Sequence, residues 1–245
     1  MRRKIFACLL VILCLASCTA EKPIENDIPK EPEVKKVSFL ACGDNITYKG
    51  TVMSAKERAT GDKPYDFSPI FENVKEKIVS ADLAFINQET VMTENKEISF
   101  YPTFNSPKEV AYALSDTGFD IVNIATNHML DKGADGLSDT IEFLKTMPYT
   151  IIGGYENEED FLTPRIINKN GIDIAFLSFT YDTNGIKKSA SSPIKIPYIS
   201  DSDIKRSVEP LKALADVIIV SMHWGQEGSF TPSNEQKRVA SLLAD

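Results

Sequence analysis

Two histidines are all the imidazole in this chain, His128 and His223, and each has a polar or aromatic companion in Asn127-His128 and His223-Trp224-Gly225. Two further short runs, Gly43-Asp44-Asn45 and Asn87-Gln88-Glu89, set a carboxylate beside an amide. Carboxylate and amide oxygens together with imidazole nitrogen suit Zn, Mn, Fe or Mg rather than the soft thiolate sites of Cu(I). Two such ions about 3.5–4 Å apart can ionise a water and stabilise an oxyanion, as in many phosphoesterases and some amidohydrolases. Asp44, Glu89, Asn127 and His223 are the candidate metal ligands, for one divalent ion or two. His128 is the candidate catalytic proton donor to a leaving group. Asn87, Asp131 and Glu227 are candidates for orienting a site residue or touching substrate; Asp131 and Glu227 read equally well as loop braces.

Taken singly, each residue has a plainer explanation. Gly-Asp after a strand is usually a turn, Asn127 can cap one, a lone histidine is more often structural, and Trp224 suits packing. What joins them is position, because each follows or ends an apolar β-rich run. Val37 to Cys42, Leu83 to Ile86, Phe119 to Ala125 and Val217 to Met222 read as strands. In open α/β sheets, sites form at the carboxyl ends of strands, where loops converge on one crevice.

Between the strands lie helical patterns. Asp66 to Val79 carries apolar residues near helical spacing with Asp66 as its cap, Ser106-Pro107 opens a second helix that Gly118 follows, and Gly136 to Met147 forms a third. Tyr149 to Ile152 is a fourth strand. Arg165 to Lys169 and Ile172 to Phe179 flank Asn170-Gly171, the strongest hairpin signal in the chain. Residues 182–199 read as a loop excursion, Asp201 to Leu214 as a helix, and Ser233 opens the last helix. Mixed βαβ units with one antiparallel hairpin predict an α/β fold of layered sheets covered by helices.

The N-terminus reads as an address. Arg2, Arg3 and Lys4 precede an apolar run from Ile5 to Ala16, too short for a spanning helix, and Leu15-Ala16-Ser17-Cys18 resembles a bacterial lipobox. Residues 1–18 are thus expected to be a lipoprotein signal peptide, with Cys18 the lipidated first residue and the protein anchored on the outer face of the bacterial cell membrane. Residues 19–36, with Pro23, Pro29 and Pro32, read as a flexible tether, and residues 37–245 as the folded domain. Losing Cys8 and Cys14 with the signal leaves Cys42 as the one unmodified thiol, most simply a small core residue. The formal charge of −8 and pI near 5.0 argue against a nucleic-acid partner, which needs a basic face. Nucleotide cofactors are not indicated, since no Gly-x-Gly-x-x-Gly or phosphate-loop lysine occurs. Ser192-Pro193-Ile194-Lys195 has Ser-x-x-Lys spacing, but the segment is proline-broken and lacks the partner motifs.

Gly43-Asp44, Asn87-x-Glu89, the run from Asn123 through Asn127-His128-Met129-Leu130-Asp131-Lys132-Gly133, and His223-Trp224-Gly225-Gln226-Glu227 resemble, in order, the CapA family of poly-γ-glutamate capsule synthesis proteins. The resemblance implies a calcineurin-like metallophosphoesterase fold, a β-sandwich flanked by helices. It also implies work on an anionic capsule polymer alongside capsule synthase components. Two departures stand out. Ile46 occupies the place of the histidine in a typical Asp-x-His opening, and Asn87-Gln88-Glu89 replaces a second Gly-Asp motif. The family continues past a helix like Ser233 to Ala244 into a histidine-rich strand end, so a C-terminally truncated domain is expected. Three functions follow: a lipid-anchored capsule protein with a metal-dependent hydrolase-like site, a surface phosphoesterase or amidase unrelated to capsule, or a non-catalytic polymer-binding scaffold, which Ile46 favours. Lys187 with Lys188 is the one weak candidate patch for an anionic polymer.

Overall fold

Alternation of side chains along the strands decides the layering of this protein, whose computed structural model describes residues 34–244. The expected signal peptide, Cys18 and the tether up to residue 33 lie outside those residues. At the end of the stretch read as tether, Lys35 Nζ donates to Gly171 O at 2.7 Å, and Asn170 Nδ2 donates to Lys36 O at 2.9 Å.

Strands β1 (Phe39–Asn45), β2 (Leu83–Gln88), β3 (Ile121–Asn123) and β4 (Thr150–Ile152) form one sheet in that order, all parallel. The second sheet contains β5 (Ile166–Lys169), β6 (Ile172–Thr180) and β7 (Val217–His223). There β5 and β6 pair antiparallel through the expected hairpin, with Asn170 at φ 52 and Gly171 at φ 73, whereas β6 and β7 pair parallel. Successive side chains point to opposite faces. Leu83 and Phe85 of β2 therefore meet Ile174 and Phe176 of β6 between the sheets, with Ile121 and Ile152. Phe39 joins them, its ring 6.4 Å from Phe85 and 6.0 Å from Phe176. The alternate residues Ala84 and Ile86 face one helical layer, and Ala175, Leu177 and Phe179 the other.

Helices α1 (Lys49–Arg58), α2 (Ser68–Ser80), α3 (Glu109–Thr117) and α4 (Gly133–Leu144) cover the first sheet through Val52, Phe71, Leu114 and Ile141. Helices α5 (Glu158–Leu162), α6 (Asp201–Val208) and α7 (Asn234–Ala244) cover the second through Phe161, Ile204 and Val239. The expected layered α/β sandwich flanked by helices is the architecture observed. Burial of each large core side chain supplies roughly 1.5–3 kcal/mol.

Local expectations fared unevenly. Ser233 caps α7: its Oγ accepts from Gln236 N at 3.1 Å, while Gln236 Oε1 accepts from Ser233 N at 2.8 Å, a reciprocal cap. Gly118 ends α3 with φ 101. Ser106 does not cap α3; its hydroxyl instead joins those of Thr90 and Thr47 in a buried cluster. The helix expected over Asp201 to Leu214 narrows to a 3₁₀ turn at Glu209–Ala213. Pro210 is the reason, since it has no N–H for the α-helical ladder. Helix α4 begins a turn earlier than its apolar pattern suggested, at Gly133.

Candidate functional site

The parallel register of the first sheet carries the ends of β1, β2 and β3 to one rim, and His223 comes to it from the end of β7 in the second sheet. Asp44 lies opposite Asn87, and Asn87 opposite Asn123. These three side chains form a polar ladder across β1, β2 and β3. Asn123 Nδ2 donates to Asn87 Oδ1, and Asn87 Nδ2 donates to Asp44 Oδ1 at 2.5 Å. The β1 register shifts between Cys42 and Asp44, a bulge at Gly43 that re-aims the aspartate. Asn123 Oδ1 accepts from Ala125 N at 3.0 Å. Gly153 makes room for that contact, because a Cβ there would stand 2.4 Å from both Asn123 Oδ1 and Ala125 N.

Glu89, just past β2, is the buried centre. Its Oε1 stands 3.9 Å from His128 Nε2 and 3.9 Å from His223 Nε2, and its buried Oε2 has no hydrogen-bond partner. Burial, and then the charge of Asp44, push the Glu89 carboxyl up to about 7. His223 ends β7. Its Nε2 lies 2.9 Å from Asn127 Oδ1 and its Nδ1 3.8 Å from Asp44 Oδ1. Burial lowers the His223 pKa, against an upward pull from Asp44.

His128 has a different environment. Its Nδ1 lies 2.7 Å from Asp131 Oδ2, which also accepts the Phe104 backbone N–H at 2.6 Å. Asp131 thus braces a loop and orients a histidine at once. The Phe104 ring packs edge-on to the imidazole with centroids 4.8 Å apart. Burial alone would lower the His128 pKa, but the hydrogen bond and charge of Asp131, with the charge of Glu89, leave it raised. Nε2, turned toward Glu89, is the nitrogen available to a ligand.

One cleft of 580 Å³ joins the candidate ligands and His128 to Ile46, Tyr48, Tyr181, Trp224 and Glu227. Asp44, Glu89, Asn127, His128 and His223 all reach it, and the charge of Glu227 is among those acting on Glu89. Asn87 acts one step back, through Asp44. Neither Lys187 nor Lys188 lines the cleft, and Lys188 Nζ instead donates to Ser192 O at 2.9 Å. Lys195 of the Ser-x-x-Lys stretch pairs with Asp203 at 2.9 Å. Cys42 packs against the helix-side core.

Two contributors were given no role from the sequence, although Asn123 opens the run that carries the family resemblance. Asn123 is a fully buried amide on a strand of apolar neighbours, which is its signal. Asn184 sits in an Asn-Gly turn, and its Oδ1 accepts from Asn127 Nδ2 at 3.1 Å.

Among the described residues, no three His, Cys, Asp or Glu side chains stand close enough together to hold a metal ion. The third donor is an amide, Asn127 Oδ1, which faces His223 Nε2 beside Glu89. The buried Glu89 carboxylate, with Oε1 3.9 Å from His223 Nε2 and Oε2 without a hydrogen-bond partner, together with the Asn127 amide oxygen and the His223 imidazole nitrogen fits a divalent ion of the Zn, Mn, Fe or Mg class.

Residues 38–245 match the family described as "Bacterial capsule synthesis protein PGA_cap". The "Capsule biosynthesis protein CapA" of Bacillus anthracis is 29% identical over 246 residues, covering 97% of this chain and 58% of that protein. The "PGA biosynthesis protein CapA" of Bacillus subtilis (strain 168) is 29% identical over 217 residues, covering 82% of this chain and 54% of that protein. The chain therefore spans about half the length of the curated relatives it matches. Among solved structures, the NAD nucleotidase of Haemophilus influenzae gives a TM-score of 0.44 at 15% identity, covering 78% of this chain and 34% of that one. A 5'-nucleotidase precursor from Thermus thermophilus gives 0.38 at 18% identity, covering 58% and 28%.

Proposed function

This chain belongs to the PGA_cap family of bacterial capsule synthesis proteins, and from that premise we propose that it serves poly-γ-glutamate capsule synthesis or export through a metal-dependent hydrolase-like site. Its partners in this reading are the anionic polymer and the capsule synthase components. Its place is the outer face of the cell membrane, held by a lipid on Cys18; no described helix is long and apolar enough to cross a membrane.

The observation that carries the hydrolase-like reading is the pairing of two differently tuned histidines around one buried carboxylate. Asp44, Glu89, Asn127 and His223 would hold the divalent ion, or part of a two-ion set. When bound, the ion would supply Lewis-acid polarisation of a phosphoryl or acyl oxygen. His128 keeps its proton because Asp131 holds the Nδ1 side, so Nε2 can donate to a leaving group. Asn87 fixes the Asp44 carboxylate from behind, and Glu227 is placed for substrate contact. Among the described residues no lysine or arginine lines the cleft, so an anionic substrate group would depend on the ion and on protonated His128 for its counter-charge.

Ile46 favours a second reading, a polymer-binding scaffold without turnover, since it lines the cleft with an alkyl group in place of a donor. Metal content and turnover of phosphoester and amide reporters by the full-length protein separate the two. Stoichiometric metal that is lost in Asp44→Ala with His223→Ala, along with turnover, supports the hydrolase-like site. Metal below stoichiometry with turnover untouched by both substitutions would reject it. Capsule staining of a deletion strain tests the process: unchanged capsule with lost hydrolysis assigns the enzyme elsewhere.

A further inference from the structure

An amide is held with its oxygen toward a cation more firmly when a protein group accepts from its NH₂ end, and Asn127 Nδ2 has such a partner in Asn184. We propose that Asn184 is a positioning residue that fixes the Asn127 carboxamide with its oxygen toward the site, an inference that rests on the reading of Asn127 as a metal ligand.

Asn184 lies in the segment 182–199, which carries no helix or strand, and it reaches the cleft through a tight turn. Ile186 N donates to Thr183 O at 2.9 Å, and Asn184 and Gly185 have φ of 52 and 73, the backbone of a type I′ turn. Asn170-Gly171 has the same φ pair at the tip of the β5–β6 hairpin, where the asparagine amide serves only to hold Lys36 O and Asp82. At position 184 the residue is exposed, but its amide lies at the cleft. Its Oδ1 takes the Asn127 Nδ2 proton at 3.1 Å, and its Nδ2 stands 3.4 Å from His128 Nδ1, whose own proton goes to Asp131. One carboxamide therefore stands between the candidate ligand and the candidate acid. The turn is itself held: Thr183 Oγ1 donates to Ile186 O at 2.7 Å and lies 2.7 Å from the Tyr198 hydroxyl, and Gly185 N donates to Asp182 Oδ2 at 3.3 Å.

The backbone and the side chain can be tested apart, because glycine adopts the positive φ at least as readily as asparagine. If only the turn matters, Asn184→Gly is harmless. If the amide positions Asn127, the same variant leaves the fold intact and weakens the metal site. The experiment measures Mn²⁺ affinity of the full-length protein by titration calorimetry, with the melting temperature of the metal-free protein alongside. Asn184→Gly is expected to lose about 10–100-fold in affinity with an unchanged or higher melting temperature. Asn184→Asp keeps an acceptor for Asn127 Nδ2 and tolerates the turn, so it is expected to retain affinity. Wild-type affinity in Asn184→Gly, or a loss that follows melting temperature in both variants, overturns the positioning role alone. A wild-type protein that takes up no Mn²⁺, Zn²⁺, Fe²⁺ or Mg²⁺ overturns the metal reading and this inference with it.

Discussion

Asp131 Oδ2 accepts two hydrogen bonds at once, from His128 at 2.7 Å and from the Phe104 backbone N–H at 2.6 Å, so the orientation of the imidazole is tied to the loop whose Phe104 ring packs perpendicular to it. Asp131→Asn keeps the shape and removes the charge that raises the His128 pKa. If His128 donates a proton during turnover, activity falls about 10–100-fold. The sign of the pH effect follows: the acid is active when protonated, so the descending alkaline limb of the rate profile moves to lower pH in the variant. A limb that stays in place while the rate falls would assign Asp131 to the loop alone. Metal content is expected to stay at the wild-type level, because neither Asp131 nor His128 is placed among the ligands.

Glu89 predicts an unusual stability profile for the metal-free protein. Its pKa is raised from 4.5 to about 7 in the folded state. A raised folded pKa means that the folded protein holds the proton more tightly than the unfolded chain. The stabilisation is fully present below pH 4.5 and is lost as pH rises through about 7. The shift corresponds to a change on the order of 3 kcal/mol. Urea unfolding in chelator at pH 5 and pH 8 measures it. Glu89→Gln should be flatter across that window and more stable than wild type at pH 8, yet bind metal less tightly. Equal slopes for the two proteins would place the burial cost elsewhere.

The Cys18 expectation rests on sequence and has a direct readout. Cys18→Ala should move the protein from the membrane fraction to the soluble extracytoplasmic fraction, and metabolic labelling with a fatty-acid analogue should disappear with it. Retention on membranes without label would point to an uncleaved apolar segment.

The strand-end residues were legible because each follows an apolar run; parallel pairing gathers those of β1, β2 and β3 at one rim, and β7 brings His223 to them from the second sheet. The contacts that orient them were not. Asn87 and Asn123 are separated along the chain, and only the β2–β3 register reveals them as neighbours. Asn184 reads as ordinary turn chemistry, identical to Asn170, until the position of the turn is known. Helix α1 was missed because its apolar face is thin, with only Val52 and Ala55 buried, and α5 because it spans five residues. Ser106 misled because a serine before proline reads as a cap, whereas tertiary partners claimed its hydroxyl.

The Asn123–Asn87–Asp44 ladder carries the last prediction, because it depends on a residue that touches none of the candidate ligands. Gly153 has φ +80, and an added Cβ would meet Asn123 Oδ1 and Ala125 N at 2.4 Å. Gly153→Ala must therefore push Asn123 away or distort β4, at a combined backbone and overpacking cost of about 2–5 kcal/mol. Asn123→Ala opens the same link differently: Asn87 Oδ1 loses its donor and Ala125 N its acceptor, which costs roughly 1–3 kcal/mol for buried groups. Both variants should lower the melting temperature, but their effects should not add, since each breaks the same contact. Chemical unfolding of the two single variants and the double variant forms the cycle that measures this. Metal affinity should fall in all three, because Asn87, the amide that holds Asp44, loses its own anchor. Additive stability losses with unchanged affinity would show that the ladder supports the sheet without orienting Asp44.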